Sequence, residues 1–293
     1  MQLEQLLQFV ISGITNGSIY ALIGLGFTLI FNSTNIINFA QGEFVMLGGL
    51  LAVSFYSVFE LPLILAILIS VAIVTIVGAL FERAVIYPLR RASVIALIIA
   101  TVGVSMLLKR IAMIVWGREP LVLPHFSGDA PIFVKGASIL PQNLWILGLT
   151  ALAVILLQLF YNRTLVGKAM KASAINRTAA SLVGINTSNM VLYSFALSAA
   201  LGGLAGVMIA PIIMTSYASG GMLGLKGFAA AVLGGMGSPL GSVVGGLVLG
   251  LLESLSIGFI SSGYKDAVAF IILLLVLFFR PGGILGIVEK EKY

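Results

Sequence analysis

The sequence predicts an all-α polytopic membrane protein with eight or nine transmembrane helices, some of them discontinuous. Three observations carry this expectation. Hydrophobic residues make up 60% of the 293 positions and charged residues only 9%, where a soluble domain carries roughly 25% charged residues. Apolar runs of membrane-crossing length recur along the chain. The charges gather in the polar segments between those runs. The net charge of +6 therefore does not point to nucleic acid, because no soluble basic region exists to carry it. Absence of cysteine excludes disulfides, thiolate catalysis and cysteine metal sites. The single histidine, His125, lies in a Pro-rich loop, so no histidine cluster is available for metal. Residues 1–5 lack the basic segment of a cleaved signal peptide, and the first span is expected to be retained.

The first apolar run, residues 6–31, exceeds the roughly 20 residues that a crossing needs. The polar notch Thr15-Asn16-Gly17-Ser18 falls inside it, so a tilted helix or a break at the notch is expected. Residues 32–43 are too polar for lipid and too apolar for a free loop. Non-helical backbone survives at membrane depth only where protein buries it or water lines it. With the short apolar piece 44–59, this makes residues 16–49 a discontinuous, protein-facing unit.

Crossings are then expected at 61–87, 94–116, 143–161 and 190–214, the last with the close-packing spacing Gly202-xxx-Gly206. Lys109 and Arg110 lie near the far end of 94–116. They are expected to snorkel to headgroups, the alternative being that they line a pathway. Eleven glycines fall within residues 220–250, with Gly237, Gly241 and Gly245 four apart and Pro239 interrupting the series. The piece 227–237 is expected to be half-length or broken, opened by Lys226 as an anchor at the outer interface. Residues 242–258 and 267–280 complete the crossings.

The longest polar segment between spans, residues 162–189, carries Arg163, Lys168, Lys171 and Arg177 and no acid. The positive-inside rule assigns it to the cytoplasm. On the nine-span version ten basic residues fall inside and six outside, with the N-terminus outside and the C-terminus cytoplasmic. The segment has a helical pattern, with Met170, Ala174, Ala179, Leu182 and Val183 able to share an apolar side. Asn176 can cap its second half, and Gly184 can take the left-handed position that ends it. An ordinary basic connector on the headgroups is the bland alternative. The whole chain reads as one transmembrane unit, 1–293, and the two interrupted regions, 16–49 and 220–250, fall in opposite halves. Paired interrupted segments point to a transport pathway.

Three stretches carry a specific likeness. They are Ile37-Asn38-Phe39-Ala40-Gln41-Gly42-Glu43-Phe44, the run from Lys226-Gly227-Phe228 to Gly235-Met236-Gly237-Ser238, and Tyr264-Lys265-Asp266 followed by Arg280-Pro281-Gly282-Gly283. In order and spacing the chain resembles the LivH-type permeases of bacterial branched-chain amino-acid ABC importers. The resemblance implies a second homologous, LivM-like permease subunit, two ATP-binding subunits and an extracytoplasmic amino-acid-binding protein, in the bacterial cytoplasmic (inner) membrane. It also implies that residues 162–189 contain the coupling segment to the ATPase, through Arg177, Thr178, Ala179, Ala180 and Gly184. Thr178 stands where the family's coupling motif has glutamate, Asn176 where an acid is frequent, and Gln41 where histidine is frequent.

Ionisable residues inside spans cost about 2.5–3.5 kcal/mol at a helix centre, so Glu43, Glu82 and Glu253 need a reason. Glu82 is expected to pair with Arg83 at the interface, and Glu253 to bond a neighbouring helix or face a cavity. Glu43 is a structural cap or a pathway residue. Asn16, Asn38, Gln41, Glu43, Gly235 and Gly237 are the candidate pathway positions, although helix–helix bonding is the commoner use of a membrane asparagine. No nucleophile–base constellation and no phosphate-binding loop is present. The chain is therefore expected to be no enzyme and to bind no cofactor, with ATP and magnesium used by the partner subunits. A urea or amide permease of the same superfamily, an ion-coupled secondary transporter and a membrane scaffold are the alternatives.

Overall fold

The computed structural model describes residues 3–134, 136–259, 261–280 and 282–286. Lys135, Pro281, Lys290 and Lys292, which entered the charge count and the C-terminal motif, lie outside them. The described helices are α1 (Leu3–Thr34), α2 (Gln41–Ser57), α3 (Leu63–Phe81, extended by a π-turn at Glu82–Ile86), α4 (Val94–Trp116), α5 (Pro141–Arg163), α6 (Leu165–Ile175), α7 (Arg177–Leu182), α8 (Thr187–Ile209), α9 (Ser219–Gly234), α10 (Pro239–Phe259) and α11 (Lys265–Phe279). A two-stranded hairpin, β1 (Ile132–Val134) with β2 (Ala137–Ile139), lies in the loop before α5. Seven helical stretches are long and apolar enough to cross a membrane: α1, α3 with its π-turn, α4, α5, α8, α10, and α11 with the 3-10 turn before it (Ser262–Phe279). With the shorter α2 (17 residues) and α9 (16 residues) they make nine membrane-scale helices among the described residues.

α1 is the axis, enclosed by α10, α8, α9 and α5. Ile19, Leu22, Ile23, Leu25 and Leu29 are buried along it. α3, α4, α5 and α11 form a rim and turn large apolar side chains outward, such as Ile64, Ile114, Leu156 and Phe278. Lipid supplies no hydrophobic drive between helices, so close backbone approach must supply the cohesion. At Gly17 an added Cβ would sit 2.8 Å from the Gly246 carbonyl oxygen, and at Gly206 it would overlap the Val45 carbonyl. These two contacts clamp α1 to α10 and α8 to α2.

The notch at Thr15–Ser18 does not break α1. Thr15 Oγ1 donates to the Ile11 carbonyl at 2.9 Å and Ser18 Oγ to the Ile14 carbonyl at 2.8 Å, so the hydroxyls are satisfied within the helix itself. The discontinuity lies at residues 35–40. Gln41 meets Gly26 and Ser198, inside α1 and α8. Gly26 is eight residues, or about 12 Å, before the end of α1. The chain therefore climbs back into the bundle before α2 begins. This non-helical backbone is satisfied by protein, as membrane depth demands. Asn35, at φ +57°, donates its N–H to the Phe31 carbonyl (2.7 Å), Phe39 N–H donates to Thr101 Oγ1 (3.2 Å), and Ala40 N–H donates to Asn38 Oδ1 (3.0 Å).

The glycine-rich region differs from its sequence pattern. α9 starts at Ser219, well before the expected 227, and ends at Gly234. Pro239 does not interrupt a helix but opens α10, where its missing N–H is harmless. Gly237 lies in the preceding turn at φ +99°, off the glycine face. That face consists of Gly241, Gly245, Gly246 and Gly250, each against backbone of α9 or α1.

The described basic residues of the expected inner set gather at one end of the bundle, together with the α9–α10 turn. Arg83 Nη2 donates to Asn189 Oδ1 (3.2 Å) and Arg90 Nη1 to Ser188 Oγ (3.3 Å), joining the α3–α4 loop to the start of α8. At the other end Trp116 Nε1 donates to Ser54 Oγ (2.5 Å), and Leu121 bridges Thr215.

Replacing Gly206 by Val should lower the thermal midpoint of the detergent-solubilised protein, with a destabilisation of about 1–3 kcal/mol from overpacking. Gly103→Ala, at a position with no atom within 4 Å of an added Cβ, should leave it unchanged.

Candidate functional site

At the basic end a cavity of about 510 Å3 opens between α1, α5, α6, α8 and the α9–α10 turn. This falls in the size range of small-molecule sites. Its apolar wall includes Leu25, Leu29, Val154 and Leu157, and its polar groups include Asn32, Ser33, Gln158, Lys171, Gly237 and Ser238. Asn32 Nδ2 donates to the Gly237 carbonyl at 2.9 Å and ties α1 to the turn that closes the cavity. Of the sequence-derived positions only Gly237 lines it. Gly235, at φ +105°, packs instead against Gly282, Gly283 and Gly286. Asn16 lies half-buried on α1, away from the cavity.

Met170, Lys171, Ala174 and Ile175 of α6 also line this cavity. α6 is fixed to α5 by a tight elbow. Thr164 Oγ1 accepts from Gly167 N–H (2.9 Å), and a Cβ on Gly167 would overlap the Phe160 backbone. At Asn176 the polar segment divides into two helices, at the position expected for the cap of its second half. The Asn176 side chain accepts from Ala179 N–H at 2.9 Å and starts α7. Gly184 closes the segment at φ +88°, as its spacing predicted. The expected common apolar side is not formed, because the break rotates the two halves. Met170 and Ala180 turn inward, whereas Ala179, Leu182 (83% exposed) and Val183 (76%) turn out. Arg177 and Thr178 are exposed with them. Residues 177–184 thus present a short helix with a basic start and an apolar tip, beside the cavity wall.

Gln41, Asn38 and Glu43 lie around the start of α2, away from the cavity. Gln41 is fully buried. Its Nε2 donates to the Ser198 carbonyl at 3.2 Å, and Ser198 Oγ lies 2.6 Å from Gln41 Oε1 and 2.8 Å from the Gly26 carbonyl oxygen. This knot joins α1, α2 and α8. Ser198 was not among the sequence candidates, and a lone serine inside an apolar run carried no signal of its own. Asn38 is fully buried, with no hydrogen-bond partner at Nδ2. Glu43 Oε1 accepts from Ser105 Oγ of α4 at 3.0 Å, and Oε2 has no hydrogen-bond partner.

Lys226 is not an interface anchor. It sits inside α9, 6% exposed, with Nζ 2.7 Å from Glu253 Oε1 and 2.8 Å from Asp266 Oδ1. Tyr20 completes the cluster by donating to Glu253 Oε2 at 2.8 Å. Burial forces the lysine to find carboxylates, and the only way to supply two is from α10 and α11 together. Glu253 therefore bonds neighbouring helices. Glu82 is buried in the π-turn and pairs with Arg83 as expected, 3.9 Å from Nε, while Arg83 Nη2 also donates to Asn189 Oδ1. Among the described residues no group of three metal-ligating side chains occurs.

The family described as the branched-chain amino acid transport system permease component matches residues 9–277. The chain is 34% identical to the high-affinity branched-chain amino acid transport system permease protein LivH of Escherichia coli, across 98% of this chain and 97% of the relative. It is 34% identical to the corresponding permease BraD of Pseudomonas aeruginosa, over the same shares. A probable branched-chain amino acid transport permease LivH of Methanocaldococcus jannaschii is 30% identical over 94% of this chain and 90% of the relative.

Lys226→Met should destabilise the detergent-solubilised protein by about 3 kcal/mol or more, because the buried Glu253 carboxylate, with the partly exposed Asp266 beside it, loses its cation. Adding Glu253→Gln and Asp266→Asn should recover most of the loss in the same thermal-unfolding measurement. A single variant as stable as the parent would contradict the buried cluster.

Proposed function

The chain belongs to the branched-chain amino acid transport permease family, and on that premise we propose that it is the membrane-spanning subunit of an ATP-driven importer of branched-chain, hydrophobic amino acids. It is a multi-pass membrane protein, and in this reading it lies in the cytoplasmic membrane with its basic end inside. A second homologous, LivM-like permease completes the membrane unit, and an extracytoplasmic binding protein delivers the amino acid. ATP and magnesium are used on two partner subunits, which rest on residues 177–184.

The observation that supports this reading is that one element serves two surfaces. α6 walls the 510 Å3 cavity and carries, across the Asn176 break, the exposed α7. A partner that moves α7 must displace α6. The Thr164–Gly167 elbow passes that motion to α5, and Met170 passes it to the other cavity walls. Closure of the ATP-binding partners is thereby converted into a change of cavity access, as alternating access requires. Leu182 and Val183 supply an apolar tip suited to a partner's groove. Arg177 supplies a cation for an acidic rim. Thr178 leaves no carboxylate for an ion pair there, so shape and apolar contact carry the docking.

Leu182→Asp with Val183→Asp should abolish co-purification of the ATP-binding subunits and amino-acid uptake, while membrane insertion stays intact. Gly184→Pro should do the same, because proline cannot adopt φ +88°. Ala180 faces the chain's own interior, so Ala180→Trp would report on folding and not on docking. Normal uptake and co-purification in the Leu182/Val183 variant would remove the docking assignment. Uptake of urea in preference to leucine by the parent would favour an amide permease.

A further inference from the structure

The pocket at the far end of α4 has no role in the reading so far. Lys109, Arg110 and Arg118 share a pocket of about 410 Å3 with Met106, Met113 and Tyr217. Among the described residues no carboxylate lies within 4 Å of any of the three cations. Their side-chain contacts are weak. Lys109 Nζ stands 6.0 Å from the Tyr217 ring centroid, and Arg110 Nη1 is 3.8 Å from Met113 Sδ. Three like charges at one pocket repel each other, and two of them sit within a membrane helix, where a charge normally faces a partner or a water-filled path. α4 fully buries only Leu97, Thr101 and Ala112; at the pocket Met106 and Arg110 are exposed and Lys109 is half-buried.

We propose that this pocket is an anion subsite of the translocation path, and that Lys109, Arg110 and Arg118 there take the carboxylate of the transported amino acid. The inference rests on the transport reading above and deepens it. Depth decides against a docked protein. Lys109 lies seven residues before Trp116, about 10 Å below the end of the helix, where a small carboxylate reaches and a protein lobe does not. Arginine binds a carboxylate through two parallel N–H bonds, which gives orientation as well as attraction. Glu43, 3% exposed and bonded to Ser105 (3.0 Å), lies behind α4 and does not line the pocket. Met106, Met113 and Tyr217 offer an adaptable apolar wall for an aliphatic side chain. A lipid headgroup phosphate has the same anionic chemistry, and the test separates the two sources.

The importer complex, with its binding protein and ATP, is reconstituted in vesicles of phosphatidylcholine alone and in vesicles that also contain phosphatidylglycerol. Leucine moved per ATP hydrolysed is measured. Lys109→Gln and Arg110→Gln should each lower that ratio by about tenfold or more, the loss of a charge-assisted hydrogen bond, in both lipids and with complex yield and ATP hydrolysis unchanged. Arg110→Lys should recover part of the ratio. An unchanged ratio in the Gln variants overturns the proposal. So does a parent complex that falls to the variants' ratio in phosphatidylcholine alone, because the pocket then serves the lipid phosphate. Should a helix variant fail to assemble, Arg118→Gln in the loop beyond α4 decides: it must lower the ratio, and an unchanged ratio overturns the proposal. A parent that moves no leucine in either lipid overturns the transport reading instead.

Discussion

Backbone-to-backbone contact through glycine is the constraint on which this bundle depends. In lipid, apolar side chains gain nothing by leaving an apolar solvent, so cohesion must come from close packing and from hydrogen bonds that close approach permits. α1 can be wrapped on several sides only because Gly17 accepts the backbone of α10 and Gly24 that of α9. The same economy on α2 and α8, at Gly48, Gly203 and Gly206, brings the start of α2 into the bundle interior. The Gln41–Ser198–Gly26 knot exists because those backbones are already close.

This tight centre contrasts with two looser regions, and the contrast is mechanical. Around α1 the helices are locked by overlapping backbones and by the Lys226 cluster, which fastens α11 to α9 and α10. At the basic end one wall of the cavity, α6, runs from the tight Thr164–Gly167 elbow to the Asn176 break. At the far end α4 lies on the rim, and among the described residues its cations have no carboxylate within 4 Å. In the transport reading proposed above, the break at Asn176 is where a partner's motion would enter, beside a locked core.

Much of the local structure was legible in residue chemistry. The Asn176 cap that starts α7 and the left-handed stop at Gly184 follow from side-chain geometry within a few residues. The interruption before α2 was legible because Asn35 and Asn38 cannot face lipid. Its exact place was not, since Thr15 and Ser18 look equally polar yet satisfy themselves on their own helix. The extent of α9 was obscured because glycine lowers helix propensity in isolation, while packing against α1 and α2 overrides that preference. The inward turn of Ala180 and the outward turn of Ala179 are adjacent small residues with the same composition and opposite neighbours.

By itself the sequence determined an all-α membrane bundle, its crossings, its basic end and the caps of its polar segment, because hydropathy, charge and capping act over one helix or less. Only the tertiary structure decided which apolar faces meet protein and which meet lipid, since both surroundings are equally apolar and leave the same hydropathy. It also decided the partners of Lys226, which lie 27 and 40 residues along the chain on separate helices. It alone joined α6 to the cavity and brought Tyr217 to the face of α4 that carries Lys109 and Arg110. In the core such juxtapositions depend on how far the helices can approach, a distance set by pairs of glycines on different elements that no local pattern relates.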